Sequence, residues 1–257
     1  MRWPPLPPVD EVGVLDGLHD REVNYDPARA PEGGRPEGHW HVDSSATLIG
    51  REQPGEPVPD GPWARARTLA SQYEFADARI LRAVYRKGGD LLGRDMLMEG
   101  RFYGLRFYFG VRITGVFDEK RDTCHGPERV WGWCYETLQG HLEQGRISFE
   151  VIKNRATGQV GFRVTGYSRR SQIRSPLVRL GFGVFGRNIQ QRYYRAVQRR
   201  LYELVQAAQR GEPLPTPAEG RNGLILAPTG ARPSPAERLV RGSRRKRIKA
   251  EAGQAPG

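Results

Sequence analysis

Little in this chain points to a membrane or to an oxidising compartment. Two cysteines, Cys124 and Cys134, are too few for a disulfide framework. No apolar run of roughly 18 residues occurs, so no segment reads as a membrane span. Met1-Arg2-Trp3-Pro4-Pro5 does not lead into the apolar stretch of a secretory signal. A reducing cytoplasm is the expected setting. Lysine is scarce too: five of the 41 basic residues, a bias that reads as base composition rather than a guanidinium-specific task.

What is present is unevenly spread. Hydrophobic residues make up 37%, and many of the 32 glycines and 20 prolines crowd toward the two ends. One folded domain over 39–211 is therefore expected, between a disordered Pro-rich arm, 1–38, and a disordered linker and basic tail, 212–257. Val12, Val14, Leu15 and Leu18 would let part of the arm lie on the domain. The net charge is +12, and residues 238–257 supply half of it with seven basic side chains against Glu251.

Period separates the domain into helix and strand. From Ser175 to Gly211, apolar residues recur at Leu177, Leu180, Val184, Phe185, Ile189, Tyr193, Val197, Leu201, Leu204, Val205 and Ala208, on one stripe of a long helix. Ser175 suits its cap, Pro176 its first turn and Gly211 its end. A shorter helix is expected over Ala76–Tyr85, where Ile80, Leu81, Val84 and Tyr85 fall at helical steps. Leu105–Phe117 alternates instead, with Leu105, Phe107, Phe109, Val111, Ile113 and Phe117 on one face. Val130–Thr137 sets Trp131, Trp133 and Tyr135 against Val130, Gly132 and Cys134. Ile147, Phe149 and Val151, a turn containing Gly158, then Val160, Phe162 and Val164 read as a hairpin. Leu224-Ile225-Leu226 is an isolated candidate strand. Successive strands followed by one long helix define an α+β domain, a curved antiparallel sheet gripping a long C-terminal helix.

Several chemistries are weighed against these elements. His141 and Glu143, two apart in a Gly-bounded loop, could exchange a proton or simply bond the turn's backbone. Cys124-His125, Cys134 and His141 match no zinc spacing, and no Gly-x-Ser-x-Gly elbow occurs. Gly181 to Gly186 lies within the helical stripe rather than after a strand, which argues against a dinucleotide loop. No metal and no cofactor is expected. Arg169, Arg170, Arg174, Arg179 and Arg187 around the start of the long helix would favour an anionic head group. Arg244–Lys249 could contact nucleic acid or another polyanion, weakly and without reading sequence.

The run Arg129-Val130-Trp131-Gly132-Trp133-Cys134-Tyr135-Glu136-Thr137-Leu138-Gln139-Gly140-His141-Leu142-Glu143-Gln144-Gly145 resembles a strand and loop of uncharacterised protein family 0548. Gly166-Tyr167-Ser168-Arg169, Leu180-Gly181-Phe182 with Arg187 and Gln190-Gln191, Leu92-Gly93-Arg94-Asp95-Met96 and Phe107–Val111 fit the same family. Arg170 stands where that family often has Pro. The resemblance covers roughly residues 40–208 and implies a START-like, or Bet v 1-like, helix-grip fold over an apolar cavity, with no established activity. A small apolar or amphipathic ligand is then expected among Phe107, Phe109, Val111, Tyr135 and Phe149, with Arg169, Arg187 and Gln191 at its polar end. Two other functions stay open: an enzyme using His141 and Glu143, and a nucleic-acid accessory protein acting through its basic tail.

Overall fold

The computed structural model describes residues 10–33, 37–102, 105–141, 143–170 and 176–230, by backbone alone at 101–102, 105–107, 170, 176–190 and 221. Its elements run α1 (Glu11–Asp16), β1 (His41–Arg51), α2 (Pro62–Ser71), β2 (Leu81–Arg86), β3 (Asp95–Phe102), β4 (Leu105–Thr123), β5 (Gly126–Thr137), β6 (Glu143–Asn154), β7 (Gln159–Arg170), α3 (Pro176–Gln209), β8 (Ala218–Glu219) and β9 (Leu224–Ala227). The strands form one antiparallel sheet in the order β1-β7-β6-β5-β4-β3-β2-β9-β8. The α+β class expected from the periodicity is the one observed, a curved antiparallel sheet with the long helix packed on it.

Where its side chains are described the helical stripe is buried, except that Leu204 is half-buried at its edge. Tyr193, Val197, Leu201, Val205 and Ala208 pack with α2 and the inner face of the sheet. Leu177, Leu180, Val184, Phe185 and Ile189 lie outside the described side chains, and Ser175 outside the described residues. Gly211 ends the helix in the left-handed region at φ 90°, its amide donating to the Ala208 carbonyl at 3.0 Å. Beneath α3, Tyr73, Phe75, Trp133, Phe149 and Phe162 form one aromatic cluster with centroid spacings of 4.7 Å (Phe75 to Phe149) to 6.5 Å (Tyr73 to Phe149). Pairs of this kind add about 0.5–1.5 kcal/mol each beyond their buried area.

Register decides which residues face this core. Ile113, Tyr135, Ile147 and Gly166 align across β4 to β7 on the inner face, and Val116, Trp133, Phe149 and Val164 form the next row. Between Ile113 and Gly115 the pairing shifts by a bulge. That one extra residue reverses the alternation, so Phe117 falls in the outer row with Gly132, Glu150 and Arg163 rather than sharing the face of Phe109 and Val111.

Three other segments depart from the expectation. Leu81–Arg86 is β2, not a helix: Leu81, Ala83 and Tyr85 face the inner core while Arg82, paired with Glu99, and Val84 are buried on the other side. The folded unit begins earlier than composition suggests. Leu15 and Leu18, 3% and 1% exposed, pack against Val84, Leu97, Leu138 and Leu224 on the sheet's outer face. Arg112 fastens this part of the arm by donating to the Leu18 carbonyl at 2.9 Å. The folded unit also ends later. Leu224-Ile225-Leu226 docks as a strand, and beyond it the buried Glu74 carboxylate accepts hydrogen bonds from the Thr229 amide and hydroxyl, each at 2.8 Å. Residues 231–257, including Arg244–Lys249, lie outside the described residues.

One buried ion pair ties the loop between β1 and α2 to the sheet. Lys153 Nζ donates to Glu52 Oε2 at 2.7 Å and to the Glu56 carbonyl at 2.8 Å, with side-chain exposures of 0% for Lys153 and 2% for Glu52. Glu52 also accepts from the Trp63 amide at 2.8 Å, so it serves as the missing side-chain cap of α2, whose own N-cap is Gly61. Lys153→Met leaves that carboxylate buried and unpaired. It should lower the urea-measured stability by about 3–5 kcal/mol, whereas Glu52→Leu combined with Lys153→Met should recover part of the loss.

Candidate functional site

The inner face is closed at the α3 end by tyrosines brought from three elements. Tyr135 comes from β5, Tyr193 and Tyr194 from α3, and Tyr73 from the turn after α2. Tyr73 sits in the left-handed region at φ 62°, the place in a helix-ending turn where glycine is usual, and the Glu74 amide closes the turn on the Leu69 carbonyl at 2.9 Å. The Tyr73 and Tyr193 hydroxyl oxygens are 2.8 Å apart, and Tyr73 also bonds the Tyr135 hydroxyl. Burial, then neighbouring hydroxyls, pushes the acidities of Tyr73 and Tyr135 well above the usual phenol range; burial raises that of Tyr193 too. All three remain protonated donors. Tyr194 presses on Gly166 of β7 so closely that a Cβ there would collide with its hydroxyl. One turn on, Gln198 is 7% exposed, and its Oε1 accepts from Ser45 of β1 at 3.1 Å.

His141 and Glu143 lie at the mouth of the same face, in the loop from β5 to β6. The His141 ring meets the Phe109 ring edge-on at 4.5 Å. Its Nδ1 accepts from the Glu143 backbone amide at 2.8 Å, so the neutral ring carries its proton on Nε2. The bond the loop makes is thus to backbone, and a proton exchanged with the Glu143 carboxylate would have to pass through Nε2. Burial lowers the imidazole pKa from 6.5 to about 4.

The expected ligand residues divide sharply. Val111, Tyr135 and Phe149 are buried on the inner face, with Phe109 packed beside them. Phe107 and Arg187 lie outside the described side chains. Arg169 does not belong with them. It follows Ser168 on β7, and strand alternation turns it to the outer face. There its guanidinium lies over Trp40 at 4.3 Å and donates to Gln144 Oε1 at 2.7 Å and the Glu37 carbonyl at 2.8 Å. Gln191 is on the exposed side of α3, away from the buried Tyr193 and Tyr194. Tyr73, Tyr193, Tyr194 and Gln198 were not picked out by sequence reasoning. The Tyr193-Tyr194 pair on the helix was the only signal, and no spacing links it to Tyr73, 120 residues earlier.

Among the described residues no cluster of His, Cys, Asp and Glu could hold a metal ion, and no helix is long and apolar enough to cross a membrane. Cys134 is buried on the outer face beside Thr114, with its thiol acidity weakened by burial, and Cys124 is exposed.

A curved antiparallel sheet that buries one face under a long C-terminal helix defines an α+β domain, with a chain of three tyrosine hydroxyls at their junction. The chain belongs to the family described as Domain of unknown function (DUF1990), whose model matches residues 24–200. Among solved structures the chain is similar to Ara h 8.0201, at 10% identity and a TM-score of 0.40, covering 66% of this chain and 99% of that one. It is similar also to norcoclaurine synthase from Thalictrum flavum in complex with dopamine and hydroxybenzaldehyde, at 10% identity and 0.41, covering 65% and 87%. A protein of unknown function from Staphylococcus aureus gives 8% and 0.39, covering 67% and 97%. A search of curated proteins finds no match.

The enclosed imidazole has a pH consequence. The unfolded ring titrates near 6.5 and the folded ring near 4, so between these values the unfolded state binds the extra proton. The stability that neutral His141 contributes is complete above pH 6.5 and is lost as pH falls toward 4, by about 3 kcal/mol at most. His141→Gln keeps an acceptor for the Glu143 amide but does not titrate. Urea denaturation from pH 7 to 4.5 should show a shallower decline for this variant; an unchanged decline would place the titrating group elsewhere.

Proposed function

We propose that the domain holds a small apolar or amphipathic molecule between the inner face of the sheet and the first half of α3. The START-like or Bet v 1-like character implied by the resemblance to family 0548 belongs to the same proposal. The observation that carries it is the hydroxyl cluster. Tyr135, Tyr73 and Tyr193 bring three O–H donors, and the two bonds among them use two. One O–H remains beyond these two bonds, in a buried cluster that the Tyr194 hydroxyl and the Glu143 carboxylate also approach. A ligand oxygen or nitrogen at this point would accept that bond, while its apolar part lies against Phe109, Val111 and Ile147.

The polar end recognised here is a hydrogen-bond acceptor, and Arg169 takes no part in holding it, being engaged on the opposite face. The same reading keeps the protein in the cytoplasm and leaves the basic tail at most a salt-sensitive contact with polyanions.

Native mass spectrometry before and after organic extraction tests the proposal. A co-purifying mass that leaves on extraction is expected. Tyr73→Phe deletes the hydroxyl that bonds both Tyr193 and Tyr135; it should lower stability by about 1–3 kcal/mol and, measured on the folded variant, weaken retention of that mass about tenfold. Protein that is empty when isolated and takes up no long-chain alcohol or aromatic probe would overturn it.

A further inference from the structure

The outer face of the sheet carries an open groove of about 410 Å³, within the size range of small-molecule sites. Its floor is made of small side chains, Ser148 of β6 and Thr165 of β7 with Cys134 beside them in the same row. Phe117 stands along one side only because the bulge in β4 turns it outward. The other side is Arg146, joined by Glu32 from the N-terminal arm. Three strands, β4, β6 and β7, build the groove, and the arm adds Glu32 to its rim.

Its charges are balanced. Glu150 accepts from Arg121 at 2.8 Å and from Arg163 at 3.2 Å, Arg121 also donates to Glu119 at 2.6 Å, and Arg146 pairs with Glu32. Three guanidinium groups meet three carboxylates, so the lining has no net charge. An anion entering here would face three carboxylates, and a cation would face three guanidinium groups. Each would have to break an existing pair to be held. A neutral molecule faces no such penalty if its groups both donate and accept. The fittings for it are present: the Ser148 hydroxyl, the Arg146 and Arg163 guanidinium groups, and the spare carboxylate lone pairs of Glu119 and Glu150. The Phe117 ring, over which Arg121 lies at 5.5 Å, adds one apolar surface.

We infer that this groove is a second binding site, on the face away from α3, for a neutral polyhydroxylated molecule of monosaccharide size. Adjacent hydroxyls on such a ligand accept from Arg146 and Arg163 while donating to Glu119 and Glu150, and its C–H face rests on Phe117. The site is independent of the ligand proposed under the helix.

The test is an amide NMR titration of the full chain with D-glucose and myo-inositol, beside inorganic phosphate and ethanolamine, each to roughly 50 mM. Either polyol should shift Ser148, Thr165 and Gly132 with a millimolar dissociation constant, while phosphate and ethanolamine leave them in place. Ser148→Leu fills the floor and should abolish the shifts. If that variant does not fold, Arg163→Gln, which removes a half-buried donor, should weaken them about tenfold. Glu150→Gln leaves one guanidinium charge unanswered and should transfer the response from polyol to phosphate. Silence toward both polyols, an equal response to phosphate in the unaltered protein, or shifts that survive in the folded substitution would each overturn the inference.

Discussion

Everything in this fold depends on one seam, where the second half of α3 lies on the inner face of the sheet. Tyr193, Val197, Leu201 and Val205 are all at most 5% exposed, and they close over the row of Phe149 and Val164. Burying such side chains is worth roughly 1.5–3 kcal/mol each, more than any surface ion pair of the molecule supplies. The seam also sets distance. Tyr194 can approach β7 only because Gly166 offers no side chain, and that approach brings the neighbouring Tyr193 hydroxyl to Tyr73.

Once the seam fixes an inner face, alternation distributes the chemistry. Ser168 and Arg169 are adjacent in sequence and face opposite ways. The same rule separates Phe109 from Phe117, through the extra residue of the β4 bulge. The inner face gathers protonated phenols and apolar side chains. The outer face gathers balanced arginine and glutamate pairs, with the arm laid across part of it. Tyr25 from that arm donates to Glu136 at 2.5 Å and lies 3.2 Å from the Tyr167 hydroxyl, so the outer face has its own ordered polar network.

Buried carboxylates do the fastening between layers. Glu52 holds the start of α2 and the end of β6 together through Lys153. Glu74 holds the segment after β9, while Arg200 of α3 donates to its backbone carbonyl at 2.8 Å. Such groups add little net stability when complete, but each leaves a costly orphan if a partner is lost. They make the positions of the loops unique rather than merely compact.

Much of this was legible in the residues. The stripe from Leu177 to Ala208 gave the helix, Gly211 its end, and the alternations around Phe109, Trp133, Phe149 and Phe162 gave four strands, the last two of them a hairpin. Those patterns are local: they follow from 3.6 and 2 residues per repeat and require no partner. By itself, then, the sequence determined the α+β class, the long terminal helix and the inner aromatic rows. Only the tertiary structure decided that Leu81–Arg86 is a strand, that the arm belongs to the domain, that Phe117 and Arg169 turn outward, and that Tyr73 meets Tyr193. Each of these rests on pairing register, or on contacts between residues far apart in the chain, and a period read along one segment contains neither.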